Sequence, residues 1–186
     1  MPEQEGATSS WWAWSGLPQL VAHQAAWWTC VLVMGWTGPL SMAAFVVAHL
    51  ALVREEAAAE LRLIVRSMVI GVVLDSLLAW WGAVSYEGGP LVGLSPLWLV
   101  AIWAGFGATL RHSQSLFVRS RWHAIATGAV GGPMAYLGGS KLGALSVHGA
   151  TGYVAVGALW LVAMLALEHS VRQVSGGSMT EADSSS

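Results

Sequence analysis

Asp75 is the residue whose position most demands an explanation. It stands alone as a charge inside the run VIGVVLDSLLAWW, and a carboxylate at the centre of a hydrocarbon layer costs several kcal/mol unless it is paired or neutralised. There it could exchange a proton or bind the polar group of a ligand. Arg111 is the cation expected to neutralise it, provided the helix carrying Arg111 continues past His112. His112 and Ser113 follow at the mouth of the same region. A His beside a Ser invites a hydrolase reading, but G-x-S-x-G is absent and adjacent side chains on a helix do not face each other. The third part is a glycine-rich helix with Gly132, Pro133 and Tyr136. Pro133 removes one backbone hydrogen bond and frees a carbonyl. Asp75, Arg111, His112, Ser113, Gly132, Pro133 and Tyr136 form the candidate core of a polar midplane pocket, and no catalytic residue is assigned.

Composition indicates what must position these groups. Of 186 residues, 55% are hydrophobic and 10% charged, against roughly 25% charged in soluble domains. Apolar runs recur between short polar clusters, which predicts an all-α polytopic membrane protein. Six spans of one bundle are expected near 18–37, 39–54, 63–84, 96–113, 122–139 and 146–168. Arg54, Arg62, Arg66, Arg111, Arg119, Arg121 and Arg172 then fall on one side and Lys141 on the other. The positive-inside rule places both termini in the cytoplasm, in a bacterial inner membrane. A short tail over 1–16, a transmembrane domain over 17–170 and a disordered tail over 171–186 complete the organisation. No cleaved secretory signal is expected, because no Lys or Arg precedes the first apolar run. The lone Cys30 cannot form an intrachain disulfide.

Two stripes of small residues predict close helix packing. The third span carries Ser67, Gly71, Asp75 and Ala79, and the fifth carries Gly128, Gly132 and Tyr136. Both are expected to meet the same bundle interior. Gly139 and Gly143 form a GxxxG suited to packing or to a homo-oligomer. The segment SQSLFVRSRW suits an interfacial helix, with Arg119 and Arg121 holding anionic lipid headgroups. Near-neutral charge gives no reason to expect nucleic acid. The histidines lack metal spacing, with no HxxxH and no Cys cluster, and no phosphate loop occurs, so neither a metal nor a cofactor is expected.

Leu74-Asp75-Ser76, Thr109-Leu110 followed by His112-Ser113, Gly131-Gly132-Pro133, Tyr136, Gly139 and Leu142-Gly143-Ala144 together resemble a family of small bacterial inner-membrane proteins known as domain of unknown function 2878. The resemblance implies no activity. Where Asn is expected before the His, this chain has Arg111, so an Asp75–Arg111 pair would be particular to this member. Three roles fit the residues. The first is a binding or accessory protein for a lipid-like or small amphipathic ligand, or for a membrane partner. The second is an intramembrane lipid-modifying enzyme using Asp75 or His112 as acid or base. Third, size, topology and Ala22-x-x-x-Ala26 resemble the substrate-binding subunits of vitamin importers.

Overall fold

In the computed structural model the described residues are 14, 16–33 and 35–184, with side chains as far as Gly176. The tail expected over 1–16 lies outside them except for Trp14 and Gly16. The chain is mostly helical, 79% in six helices. They are α1 (Leu17–Val33), α2 (Thr37–Leu52), α3 (Ala57–Trp80), α4 (Leu97–Thr109), a composite fifth helix and α7 (Gly149–Ser184). The fifth is α5 (Arg121–Ala126), a π turn (Thr127–Gly131) and α6 (Gly132–Lys141) in continuous succession. Pro133 has no N–H for a carbonyl one turn back, and the Gly132 N–H bonds Thr127 O instead. The expected interruption is therefore a π bulge rather than a break. The last helix continues past 170, with Val174 buried and Gln173 accepting a bond from Arg66 at 3.0 Å.

Two of these helices are long and apolar enough to cross a membrane, Arg54–Trp80 and Gly149–Gly176. Apolar α2 and α4 are shorter. On α3, Leu61, Val65, Val69 and Val73 are all exposed, one every four residues. Val21, Val47, Val130, Met134, Val154 and Val162 are exposed on other helices. The interior is built around α4, whose faces pack on α1, α2 and α3, while α7 packs between α3 and the composite helix.

Small residues set these spacings. A Cβ on Gly71 would lie 2.2 Å from the Trp103 ring, and one on Gly107 2.9 Å from Ile64 Cα. A Cβ on Gly38 would lie 2.6 Å from Cys30 Cα, and on Gly128 2.5 Å from Leu161 Cα. The glycines of the two stripes therefore seat α3 on α4 and the composite helix on α7, and the stripes meet where Tyr136 reaches Asp75. Ser67 adds a bond to Trp103 O at 2.7 Å, and Ala79 is half-buried.

The arginines gather at the end where α3 begins. The other end is closed by two short strand pairs absent from the hydropathy pattern: β1 (Val84–Tyr86) with β4 (Leu145–Val147), and β2 (Leu91–Val92) with β3 (Ser95–Pro96). Helices α3 and α6 stop alike. Gly82 at φ +68° and Gly143 at φ +78° adopt the left-handed conformation. The next N–H bonds back to a last-turn carbonyl, Ala83 to Leu78 and Ala144 to Gly139, as a Schellman cap requires. Each cap feeds one of the paired strands β1 and β4, with Ser85 opposite Ser146. Gly143 is thus a turn residue, and the expected GxxxG with Gly139 is not one helix face, because α6 ends at Lys141. Gly139 itself does pack, at 3.1 Å from Leu145 for a built Cβ.

Gly128→Ala is expected to lower stability by about 1–3 kcal/mol, because a Cβ there strikes backbone. Gly138→Ala, with open space at its Cβ, should leave stability unchanged or raised. Thermal unfolding in mild detergent compares them.

Candidate functional site

Side chains from five elements meet at Asp75, which is fully buried. Its Oδ1 accepts from Tyr86 on β1 at 3.3 Å and from Tyr136 on α6. Its Oδ2 accepts from Trp103 Nε1 on α4 at 2.9 Å and from Ser95 on β3 at 3.5 Å. Four neutral donors surround the carboxyl, and among the described residues no cation reaches it. Burial first, and then the adjoining Asp75, push the Tyr86 phenol well up, so it remains a donor. The β1–β4 pair is what carries Tyr86 to this position. Gly132 serves the site indirectly, since its missing side chain admits Trp160 at 2.3 Å from a built Cβ. Trp160 in turn lies tilted against Trp103 with ring centroids 4.8 Å apart. Pro133 lies against Gly157 of α7, 3.3 Å from a Cβ built there.

Arg111 does not pair with Asp75. Helix α4 ends at Thr109, so Arg111 lies in the following turn at the arginine end, whereas Asp75 lies near the hairpin end of α3. There Arg111 donates to Glu60 at 2.7 Å and to Glu56 at 2.5 Å. Glu60, fifteen positions before Asp75, is about 22 Å away along the helix and is also fully buried.

Glu60 centres a second cluster that sequence reasoning did not assemble. His112 Nε2 lies 3.1 Å from its Oε1 and His49 Nε2 3.4 Å from its Oε2. Backbone groups fix the proton positions. Gln19 Nε2 donates to Ala108 O at 3.1 Å, and Gln19 Oε1 accepts from the Ser113 N–H at 3.0 Å. The amide orientation is therefore set, and the same Nε2 donates to His49 Nδ1 at 3.1 Å. Trp14 Nε1 also points at Nδ1, at 3.3 Å. His49 thus carries its proton on Nε2 and donates it to Glu60.

His49, Glu60 and His112 place one ligand atom each within 4.8 Å of one another, a spacing a metal could use. The donors do not suit one. A ligating His normally donates its second ring N–H to an acceptor, and here two donors occupy His49 Nδ1 while the Arg111 guanidinium occupies the carboxylate. The set is a hydrogen-bond network.

Beside both clusters lies a cavity of about 800 Å³ between α1 and the composite helix. Leu20 and Trp27 line one wall, Thr127 and Val130 of the π turn the other, and Ile102, Trp103 and Trp160 the base. The lining is largely apolar. Three buried polar atoms lack a partner among the described residues: His23 Nε2, Ser113 Oγ and Trp160 Nε1. Each belongs to a residue of this cavity wall. Trp103 links the cavity to Asp75, and Ser113 links it through Gln19 to the Glu60 network.

The expected core is therefore divided. Asp75 and Tyr136 meet directly, Gly132 and Pro133 shape the packing around them, and Arg111, His112 and Ser113 belong to the other end. Glu60, His49, Gln19, Tyr86 and Trp103 were missed. The REEAAAEL charges read as a solvated face, and His49 and His112 are too far apart in sequence to form a motif. A buried acid under a five-residue polar turn containing Arg and His was the available signal.

Glu60→Gln should cost about 3–5 kcal/mol, as breaking a buried ion pair does, because a neutral amide cannot accept from three donors. Glu56→Gln, which removes the half-exposed partner of the same Arg111, should cost under about 1 kcal/mol. Chemical unfolding of the two variants measures the difference.

No curated protein matches this chain, and no solved structure does. The polar residues that build the Asp75 site, from Ser95 and Trp103 through Tyr86 to Tyr136, all lie inside the stretch that a family model matches, residues 17–166. By that match the chain belongs to the family of proteins of unknown function DUF2878.

Proposed function

We propose that this is a multi-pass protein of the bacterial inner membrane that binds a lipid-like or small amphipathic molecule in the cleft between α1 and the composite helix. The cleft itself carries the reading: about 800 Å³ of mostly apolar lining, with three unpartnered polar atoms in its wall residues. A chain and a polar group on one ligand would suit that lining.

In this reading all six helices cross the membrane as one domain over 17–170, with both termini cytoplasmic. The two long apolar helices and the exposed aliphatic residues of α3 support it. So does the gathering of Arg54, Arg111, Arg119 and Arg172 at one end with Lys141 at the other, because cytoplasmic loops carry the basic residues. Helix α4 is about 20 Å long, short for a span of roughly 30 Å. Its neighbours bury it along its length, so the lipid meets the longer helices.

A second reading is an intramembrane enzyme. The observation favouring it is the Glu60–His49–His112 cluster, one residue removed from the cleft through Gln19 and Ser113. A lipid species altered by wild type but not by His112→Ala would favour that role.

Native mass spectrometry of the full chain released from its own membranes tests binding. The wild type should retain an amphiphile that Ala126→Trp, which fills the cleft from its open side, loses by roughly tenfold or more in occupancy. Equal retention by a folded Ala126→Trp protein would refute binding in this cleft.

A further inference from the structure

A second cavity, of about 810 Å³, opens at the arginine end on the other side of the short 3₁₀ turn Ser115–Val118. Leu116 of that turn contributes to both cavities. Three guanidinium groups from separate parts of the chain line the second one: Arg111 after α4, Arg119 after the turn and Arg172 on α7. Ser115 adds a hydroxyl, and Leu110 and Val171 form part of an apolar floor.

We propose that this cavity is an anion site that takes a phosphate-type group. Two of its arginines have acid partners, Arg111 largely buried and Arg172 on the exposed side of α7. Arg111 pairs with Glu60 and Glu56, and Arg172 with Glu168 one helical turn away. A guanidinium carries more N–H donors than these acids use, so both retain donors for a further acceptor. Arg119 has no acid partner among the described residues. The cavity thus combines two guanidiniums that already have acid partners with a third, Arg119, that has none among the described residues. Such a set suits an anion with several oxygens, because planar guanidinium forks match phosphate geometry. A carboxylate offers only enough oxygens for one fork. The volume leaves room for the group that bears the phosphate. Arg121, expected from sequence to share this role, does not line the cavity.

The phosphate could belong to a lipid headgroup or be free in the cytoplasm, and the test separates these sources. The full-length protein is placed in phosphatidylcholine nanodiscs containing a minority of phosphatidylglycerol, and retained lipid is read by native mass spectrometry. In parallel, inorganic phosphate is titrated in uncharged detergent while thermal unfolding is followed. Enrichment of phosphatidylglycerol that falls about tenfold in Arg119→Gln and Arg172→Gln, and persists in Arg121→Gln, supports the site and assigns a lipid. Stabilisation by inorganic phosphate with the same dependence on Arg119 and Arg172, without lipid enrichment, supports the site and assigns a soluble phosphate. The proposal is overturned by three results: no anion preference in the wild type, a preference unchanged in both variants, or an equal loss in Arg121→Gln, which marks general surface charge. None of these results depends on the Ala126→Trp comparison, so the anion site and the amphiphile cleft can fail separately.

Discussion

The buried Glu60 carboxylate is the interaction on which the arginine end of the bundle depends. A charge removed from water is tolerated only when every strong acceptor position is served. Two elements converge to serve it: α2 through His49, and the turn after α4 through Arg111 and His112. Helix α1 joins through Gln19, whose side chain spans from His49 to the backbone of Ala108 and Ser113. The turn after α4 is anchored by this network, and it leads into the 3₁₀ turn Ser115–Val118 that separates the two cavities.

The hairpin end uses a different solution. Asp75 is surrounded by hydroxyl and indole donors rather than cations. Two glycine caps turn α3 and α6 into strands that pair and bring Tyr86 over the carboxyl. Between the ends, glycines bring α3 against α4 and the composite helix against α7. Large residues then fill the middle, with Trp103 and Trp160 packed together between Asp75 and the cleft. A ligand in the cleft would therefore lie against the same indole that donates to Asp75, which connects occupancy to the one buried acid of that end.

Much of the helical plan was legible in the sequence, because runs such as VIGVVLDSLLAW carry their own boundary in length and polarity. The six helices fall where the runs predict. Tyr136 was legible as a core residue because it continues the Gly128–Gly132 register by one turn, but its bond to Asp75 was not assigned. The partner of Arg111 was not legible. Counting residues from the outer surface assumes that α4 continues as a helix, and α4 ends at Thr109. Glu60 was hidden for a related reason: in isolation REEAAAEL is a good solvated helix, and only the folded-back turn at 110–114 buries it. The strand pairs leave almost no periodic signal in two or three residues. Tyr86, which they position, could not be assigned from sequence.

The most direct measurement is photolabelling in native-like bilayers with a phospholipid carrying a diazirine along its acyl chain, followed by mapping of the adducts. A lipid-accessible cleft predicts insertion at Leu20, Ile102 and Phe106 within it, together with Val65 and Val154 on the outer surface. Adducts confined to the outer residues, with none inside the cleft, would contradict a site for an amphiphile between α1 and the composite helix.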